Sequence, residues 1–530
     1  ALKAYHGTSP ENLRRFLLYV RARHLGGGGD VPPPDETDRV EGLFHPDHAG
    51  MFATVDDFLA WAKEHRPALA AAPRAIVTAH AKHLTLQQPH VVAALIHSFE
   101  ERGVLAAAIV DYGKAYEGLL REFAPLVVVH TCHSGDTLEM RERLGVPHLH
   151  SIFFRQQSIA DWQSSVTGLT ASEMAFQVTT QELLGAIEPQ IGAGTVEGGG
   201  SAEAFTPIPD RIEHLTARAA AWMRLATIPN GEKKVAVLYY NREMGKSDLM
   251  RGSATGMFMN APRSLVKVLA RMRADGYTVT DVPADEDDLL ARLLDHGQQI
   301  GIWAPGALDR LARSGHAALI PVDRYLEWYE RKVPAAQREA LEARWGKAPG
   351  DFLVWENAGR KFFVVPTVSL GGVVILPQPL RGEAHDPSLL HDVRVPPPHN
   401  YLATYFWLEE EFKADALVHF GTHGSEFLLP GKPVGPSRAD WSDIVMGSLP
   451  NINPWVINNL GESSPVRRKA YAVLIDHLVP PSVQAELSDE LANLHSDIDK
   501  WVTLEDGPLR ETFRASITRQ FRAAHLDTDL

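Results

Sequence analysis

AIVTAH (75–80), VVAALIHSFEERG (91–103), AAAIVDY (106–112) and LVVVH (126–130) alternate short apolar runs with a helical segment, and that alternation decides the fold. Strands that are apolar on both sides, separated by helices, belong to a parallel sheet covered on both faces. A second series of the same kind begins at KKVAVLYYN (233–241). It continues through the helical SLVKVLARMRADG (264–276), a strand at YTVTDV (277–282), a helix at EDDLLARLLDHG (286–297) and a strand at HAALIPV (316–322). The expected class is therefore α/β and multidomain, with doubly wound, Rossmann-like parallel-sheet units and a mixed α/β core after them.

Outward from these runs, PENLRRFLLYVRARHL (10–25) has apolar residues at helical spacing behind a Ser-Pro start, and GGGGDVPPPDETD (26–38) reads as a flexible connection. A further helix is predicted over 55–63 and another around 210–226, with IGAGTVEGGGSAEAF (191–205) as a loop or linker before it. KFFVVPTVSLGGVVILPQP (361–379) predicts a β pair, since Gly371-Gly372 separates two β-rich runs. The tail reads as helical from about 482 to 522. Four segments result: a helical and loop segment at 1–70, a first α/β unit at 71–225, a second at 226–345 and a core at 346–530.

Composition narrows the function classes. At 530 residues the chain exceeds what one hydrophobic core serves. The net charge of −14 argues against a general nucleic-acid surface. A single cysteine, Cys132, excludes an intrachain disulfide and fits a reducing compartment, so the cytoplasm is expected. No run approaches the roughly 18 apolar residues of a membrane span. The first residues carry neither an initiator Met nor a signal-peptide pattern, consistent with a mature form or a piece of a longer chain.

The densest chemistry lies between Pro396 and Pro481. ADALVHF (414–420) reads as a buried strand with GTHGSE at its C-terminal end, where open α/β sheets bind ligands. His419, His423 and Glu426 thus stand close together, and imidazoles with a carboxylate suit borderline divalent metals. The bland reading of His419 is a core histidine hydrogen-bonded to backbone. In NNLGESSPVRRK, Arg467, Arg468 and Lys469 can open a helix and bind carboxylates, or Glu462 can pair with one of the arginines for structure alone. His130, Cys132 and His133 in HTCHSGD follow a strand end; they read as metal or haem ligands or, more simply, as a structural loop, and His80 and His83 read likewise. Tyr325, Trp328 and Tyr329 read as packing residues on a helix.

HFGTHGSEFLLPGK, LPNINPWVINNLGE and VRRKAYAVLIDHLVPP closely resemble the signature of cobaltochelatase large subunits and magnesium-chelatase H subunits. So do QPLRG (378–382) followed by PPPHNYLATYFWL, and KVAVLYYNREMGKS with MNAPRSLVKVLARMRADGY. The resemblance runs from residue 10 to the end and is strongest over 361–485. It implies a chelatase that binds a metal-free tetrapyrrole, inserts a divalent metal and is driven by AAA+-type ATPase subunits. Carried over, His419, His423 and Glu426 lie at the metal or pyrrole-nitrogen site, with His423 and Glu426 catalytic. His399 and Lys432 become pocket residues, and Glu462, Arg467 and Arg468 match a further substrate-side motif.

No Gly-x-x-x-x-Gly-Lys-Ser/Thr loop occurs, so ATP belongs to the partner subunits. Family members are much longer, which favours reading this chain as a piece. The wording of GTHGSEFLLPGK and YAVLIDHLVPP favours Co²⁺ and a hydrogenobyrinic-acid-type corrinoid. The alternatives are haem dechelation, for which the histidines at 80, 83, 130 and 133 speak, magnesium insertion into protoporphyrin, and a non-catalytic tetrapyrrole carrier.

Overall fold

The apolar runs become strands buried on both faces. A computed structural model describes residues 10–34, 42–81, 84, 89–110, 116–131, 136–198, 204–241, 246–251, 260–301, 304–382, 389, 392–455, 460–476, 489–524 and 526. The chain divides into two compact units. The first takes Ala1–Thr227, Gly431–Pro450 and Ser464–Ala472, and the second takes Ile228–Pro430, Asn451–Ser463 and Val473–Leu530.

The first unit holds β1 (Leu43–Phe44), β2 (Met51–Phe52), β3 (Arg74–Ala79), β4 (Leu105–Val110), β5 (Val127–His130), β6 (His148–Ser158), β7 (Ile187–Thr195) and β8 (Thr206–Pro207). They form one sheet in the order β2-β1-β4-β3-β5-β6-β7-β8, parallel from β4 through β7 and antiparallel at both margins. Every residue of β4 is buried. Ala106 and Ala108 join the core built with helices Pro89–Glu100 and Pro209–Thr227, while Leu105, Ala107 and Ile109 join the core built with Val55–His65 and Tyr116–Phe123. A two-faced strand needs apolar side chains at every position, which explains the continuous run.

Residues 191–195, expected in a loop, complete β7 and are buried. The glycines misled the reading: a Cβ on Gly192 would fall 2.0 Å from Ser151 Oγ, and one on Gly194 would fall 2.4 Å from the Phe154 ring. They are there for close strand packing rather than for turning.

The second unit carries β9 (Val235–Tyr239), β10 (Ala317–Pro321), β11 (Val354–Asn357), β12 (Arg360–Pro366), β13 (Val368–Leu370), β14 (Val373–Pro377), β15 (Ala416–Phe420), β16 (Asn451–Trp455) and β17 (Ala472–Asp476). Its main sheet runs β13-β14-β9-β15-β16-β17, and β14, β9, β15 and β16 are parallel. Strand β9 thus lies between two strands that come much later in the chain, so segments 226–345 and 346–530 share a sheet. The pair at Gly371-Gly372 forms as expected, with Leu370 opposite Val373. Two expectations need correction. YTVTDV contributes a single bridge, Val279 to Gly371, and not a strand. HAALIPV lies in a separate antiparallel sheet, β10-β12-β11, because β12 offers it a five-residue ladder.

Tyr325, Trp328 and Tyr329 pack inward from helix Val322–Lys332 as expected. The tail forms helices Asp489–Thr503 and Pro508–Ala523, and its expected start at 482 lies outside the described residues. Among the described residues no helix is long and apolar enough to cross a membrane.

Buried charge binds the first unit's late segments to its early ones. Arg211, on helix Pro209–Thr227, donates to Asp443 on helix Trp441–Met446 at 2.9 Å, and the Tyr471 hydroxyl donates to the same oxygen at 2.5 Å. Arg218, fully buried, forms a two-pronged pair with Glu188 and donates to the Gly447 carbonyl. Burial by itself would raise the Asp443 carboxyl, but the Arg211 guanidinium and then His214 hold it at about 2, below its ordinary 3.8.

Removing one partner of a buried ion pair strands the other charge. Asp443→Asn is therefore expected to cost about 3–5 kcal/mol in chemical denaturation near neutral pH. Because the folded carboxyl titrates near 2, its contribution is complete above the unfolded value of 3.8 and is lost as pH falls toward 2. The gap between wild type and variant should narrow over that interval.

Candidate functional site

The site forms where β9, β14 and β15 end. Strand β15 delivers His419 at its penultimate position, and the chain then turns through Gly421–Ser425 into the short helix Glu426–Leu428. His419 and Glu426 are both fully buried. Asn451, at the start of the neighbouring β16, donates from its amide nitrogen to Glu426 Oε1 at 3.3 Å. That contact turns its amide oxygen toward His419, whose Nδ1–H donates to it at 2.8 Å. The His419 Nε2 lone pair then accepts from the Tyr405 hydroxyl at 3.0 Å, and Glu426 Oε2 lies 3.4 Å from the same nitrogen.

Tyr405 and Tyr401 sit four residues apart on helix His399–Glu410, hence on one face, with their rings 5.2 Å apart. Gln378, just past β14, donates to the Tyr405 hydroxyl at 3.1 Å and to Ser425 Oγ at 2.9 Å, and Ser425 and Tyr401 share a 2.9 Å hydrogen bond. Burial, foremost, together with surrounding charge that includes Glu426, raises both phenols and keeps them protonated. Arg381 of QPLRG braces the loop by donating to the carbonyls of Leu428 and Val395.

His423 stands apart from this inner group. Its Nδ1–H donates to the Gly424 carbonyl at 2.6 Å, and its Nε2 lies 2.9 Å from Glu462 Oε2. Both neighbours are acceptors, so the contact to Glu462 requires a second proton on the ring or one on the carboxylate. Glu462 sits in the first turn of helix Leu460–Lys469 with its side chain one-quarter exposed. The ring packs edge-on against Tyr240 and Phe427.

The sequence-derived residues therefore fall into separate groups. His419 and Glu426 meet, and His423 meets Glu462. The donor atoms of His419, His423 and Glu426 do not gather as a three-ligand cluster; among the described residues such clusters occur elsewhere, at His130, Asp136 and His148 and at His45, Asp47 and Glu100. His399 accepts from the Tyr325 hydroxyl at 2.8 Å and donates to the Gly346 carbonyl at 3.1 Å, packed against Tyr329. Burial lowers its pKa, so the ring is neutral.

Lys432 belongs to the first unit, where its ammonium bonds Asp440 and Ser437, each at 3.2 Å, and lies over the Trp162 ring. In the same unit Arg468 makes a two-pronged pair with Glu182, at 3.1 and 2.7 Å, while Arg467 is one-third exposed and 3.9 Å from that carboxylate. The basic trio closes helix Leu460–Lys469 instead of opening one, as the helix dipole favours.

Sequence reasoning passed over Tyr405, Gln378, Ser425 and Asn451. The tyrosine spacing in HNYLATYF was a legible signal, and Asn451 lay within the quoted LPNINPW. Of the loop histidines, His130 is buried, and Cys132, His133 and His83 lie outside the described residues.

Comparison with known proteins gives a consistent picture. The model of the CobN/Magnesium Chelatase family matches residues 3–530. The aerobic cobaltochelatase subunit CobN of Pseudomonas aeruginosa is 30% identical over 98% of this chain and 41% of its own length. The chloroplastic magnesium-chelatase subunit ChlH of Oryza sativa subsp. indica is 27% identical over 100% of this chain and 38% of its own. Among solved structures, the catalytic subunit of cobaltochelatase from Mycobacterium tuberculosis superposes with a TM-score of 0.71 at 25% identity, covering 100% of this chain and 44% of that one. The chain thus spans about two-fifths of the length of these relatives.

The tightest steric demand in the site is at Gly424, where a Cβ would lie 1.8 Å from Glu426 Oε2 and 2.5 Å from the His419 ring. Gly424→Ala should displace both side chains and destabilise the second unit by about 1–3 kcal/mol, the usual range for overpacking, as read by thermal or urea denaturation.

Proposed function

The chain belongs to the CobN/magnesium chelatase family, and on that footing we propose that it supplies part of the macrocycle-handling large subunit of a metal chelatase, inserting Co²⁺ into a hydrogenobyrinic-acid-type corrinoid. Such an enzyme is a ligase that forms nitrogen–metal bonds. Insertion exchanges one divalent ion for two pyrrole N–H protons, so a site for it must take up protons beside the ring and offer the ion a place to shed water.

The observation that carries this reading is the His423–Glu462 pair. The 2.9 Å contact already holds one proton between imidazole and carboxylate, and once that proton is passed on the pair can accept one from the ring. With the proton moved away, the same imidazole and carboxylate are donors for an incoming metal. Behind it, His419, Tyr405, Asn451 and Glu426 form a sealed chain in which Glu426 and His419 are close enough to pass a proton. Nitrogen donors favour Co²⁺ over Mg²⁺, which prefers an all-oxygen shell; this supports cobalt where the identities of 30% and 27% hardly discriminate. ATP hydrolysis falls to AAA+-type partner subunits, in the cytoplasm.

Titrating the chain separately with hydrogenobyrinic diamide, protoporphyrin IX and haem, followed by absorbance, tests the reading. The corrinoid should bind selectively, and His423→Ala and Glu462→Gln should lower Co²⁺ insertion about 10²-fold or more in the presence of ATP and the ATPase subunits. Absence of binding to any ring, or wild-type insertion by both variants, would overturn it. Release of metal-free porphyrin from haem would replace it with dechelation.

A further inference from the structure

The first unit contains a second set of metal-type donors, remote in sequence from the GTHGSE loop. His130 ends β5, His148 opens the adjacent parallel β6, and Asp136 lies just before helix Leu138–Leu144. All three are buried, and one donor atom from each lies within 4.8 Å of the others. His130 Nε2 is 2.8 Å from His148 Nδ1 and 3.8 Å from Asp136 Oδ2.

A single proton holds the two facing ring nitrogens together. His130 Nδ1 shares a 3.1 Å hydrogen bond with Thr78 Oγ1 on β3, so its Nε2 is committed to the interior of the cluster. If Thr78 donates, His130 Nε2–H donates to His148 Nδ1, and the proton on His148 Nε2 has no acceptor. If Thr78 accepts, His148 Nδ1 must carry the proton, and His148 Nε2 is left as a lone pair without a donor. In either tautomer His148 Nε2 is closed from solvent and has no hydrogen-bond partner among the described residues, and the same holds for Asp136 Oδ1. In both tautomers one proton lies between His130 Nε2 and His148 Nδ1, and it is this proton that a bound cation would displace.

Arg141 fixes the carboxylate by donating from Nε to Asp136 Oδ2 at 3.0 Å while its terminal nitrogens bind Gln181 and the Leu184 carbonyl. Asp136 and His148 also line a cavity of about 340 Å³ with Leu120, Leu126, Met140 and Leu144, which gives the cluster a route of entry.

We propose that His130, His148 and Asp136 bind a divalent transition-metal ion of the Zn²⁺ or Co²⁺ class. Two imidazoles and one carboxylate are a three-ligand set that leaves a fourth position open, here toward the cavity. The Thr78 hydroxyl accepting from His130 Nδ1–H is the outer contact that orients a ligating imidazole. Two nitrogens around a tetrahedral ion at roughly 2.0–2.1 Å stand about 3.3 Å apart, so the 2.8 Å gap must open by about half an ångström. The two imidazole nitrogens select against Mg²⁺, which prefers an all-oxygen shell. Arg141 offsets the carboxylate's charge, so affinity rests chiefly on the two imidazoles.

The test uses Co²⁺ alone, without macrocycle, on the metal-stripped chain. Calorimetry should find one more equivalent of Co²⁺ bound by wild type than by His148→Gln or Asp136→Asn, or affinity for that equivalent at least 10-fold weaker in the two variants. A visible absorption band of low-coordinate Co²⁺ should be lost with it. Equal stoichiometry and affinity in folded His148→Gln would overturn the proposal. Should those variants not fold, crystals of the wild-type chain soaked in Co²⁺ decide: an anomalous peak at bonding distance from His130 and His148 supports the site, and its absence overturns it.

Discussion

A carboxylate with no exposed surface is the constraint from which the candidate site follows. Glu426 is closed from water, so its charge must be met by neighbours placed in advance. Asn451 meets it from the next strand, His419 approaches from the end of β15, and Gly424 leaves out the side chain that would occupy its space. Asn451 in turn settles the His419 tautomer, and the tautomer settles which way the Tyr405 hydroxyl points. One buried charge thereby fixes three side chains contributed by three separate stretches of chain.

The candidate site thus contains two imidazole–carboxylate pairs of nearly the same composition in different surroundings. The inner pair, His419 and Glu426, is sealed and over-determined; the outer pair, His423 and Glu462, retains partial exposure on the carboxylate side. Sealing suits a group that positions and relays, since it excludes water that would scramble its protons. Partial exposure suits a group that must meet a ligand. Environment, more than residue type, separates the roles.

Much of this was legible in the sequence, and the failures have physical causes. Two-faced strands such as β4 and β5 are readable because burial on both sides requires an unbroken apolar run. The GTHGSE loop was readable because it stands at the end of such a strand. What the sequence hides is long-range pairing. Nothing local says that His423 turns to Glu462 while Arg468 turns to Glu182, since each choice is made across the fold. Gly192 and Gly194 read as turn residues, although tight contact with Ser151 and Phe154 is what demands them. YTVTDV has strand composition, yet only Val279 finds a bridging partner, so propensity yields to the available ladder.

The first unit is written in three instalments, its later two supplied only after Gly431 and Ser464. Arg211 and the aspartate that neutralises it are 232 positions apart. A ribosome adding roughly 5–20 residues per second needs on the order of ten seconds or more to cover that distance. During that interval the nascent unit holds Arg211, destined for its interior, with its buried partner Asp443 not yet made, and the guanidinium must stay hydrated. Completion of the unit, though not of its sheet, therefore waits on translation of the late segments, and a message truncated between them would yield a domain short of the aspartate that neutralises Arg211.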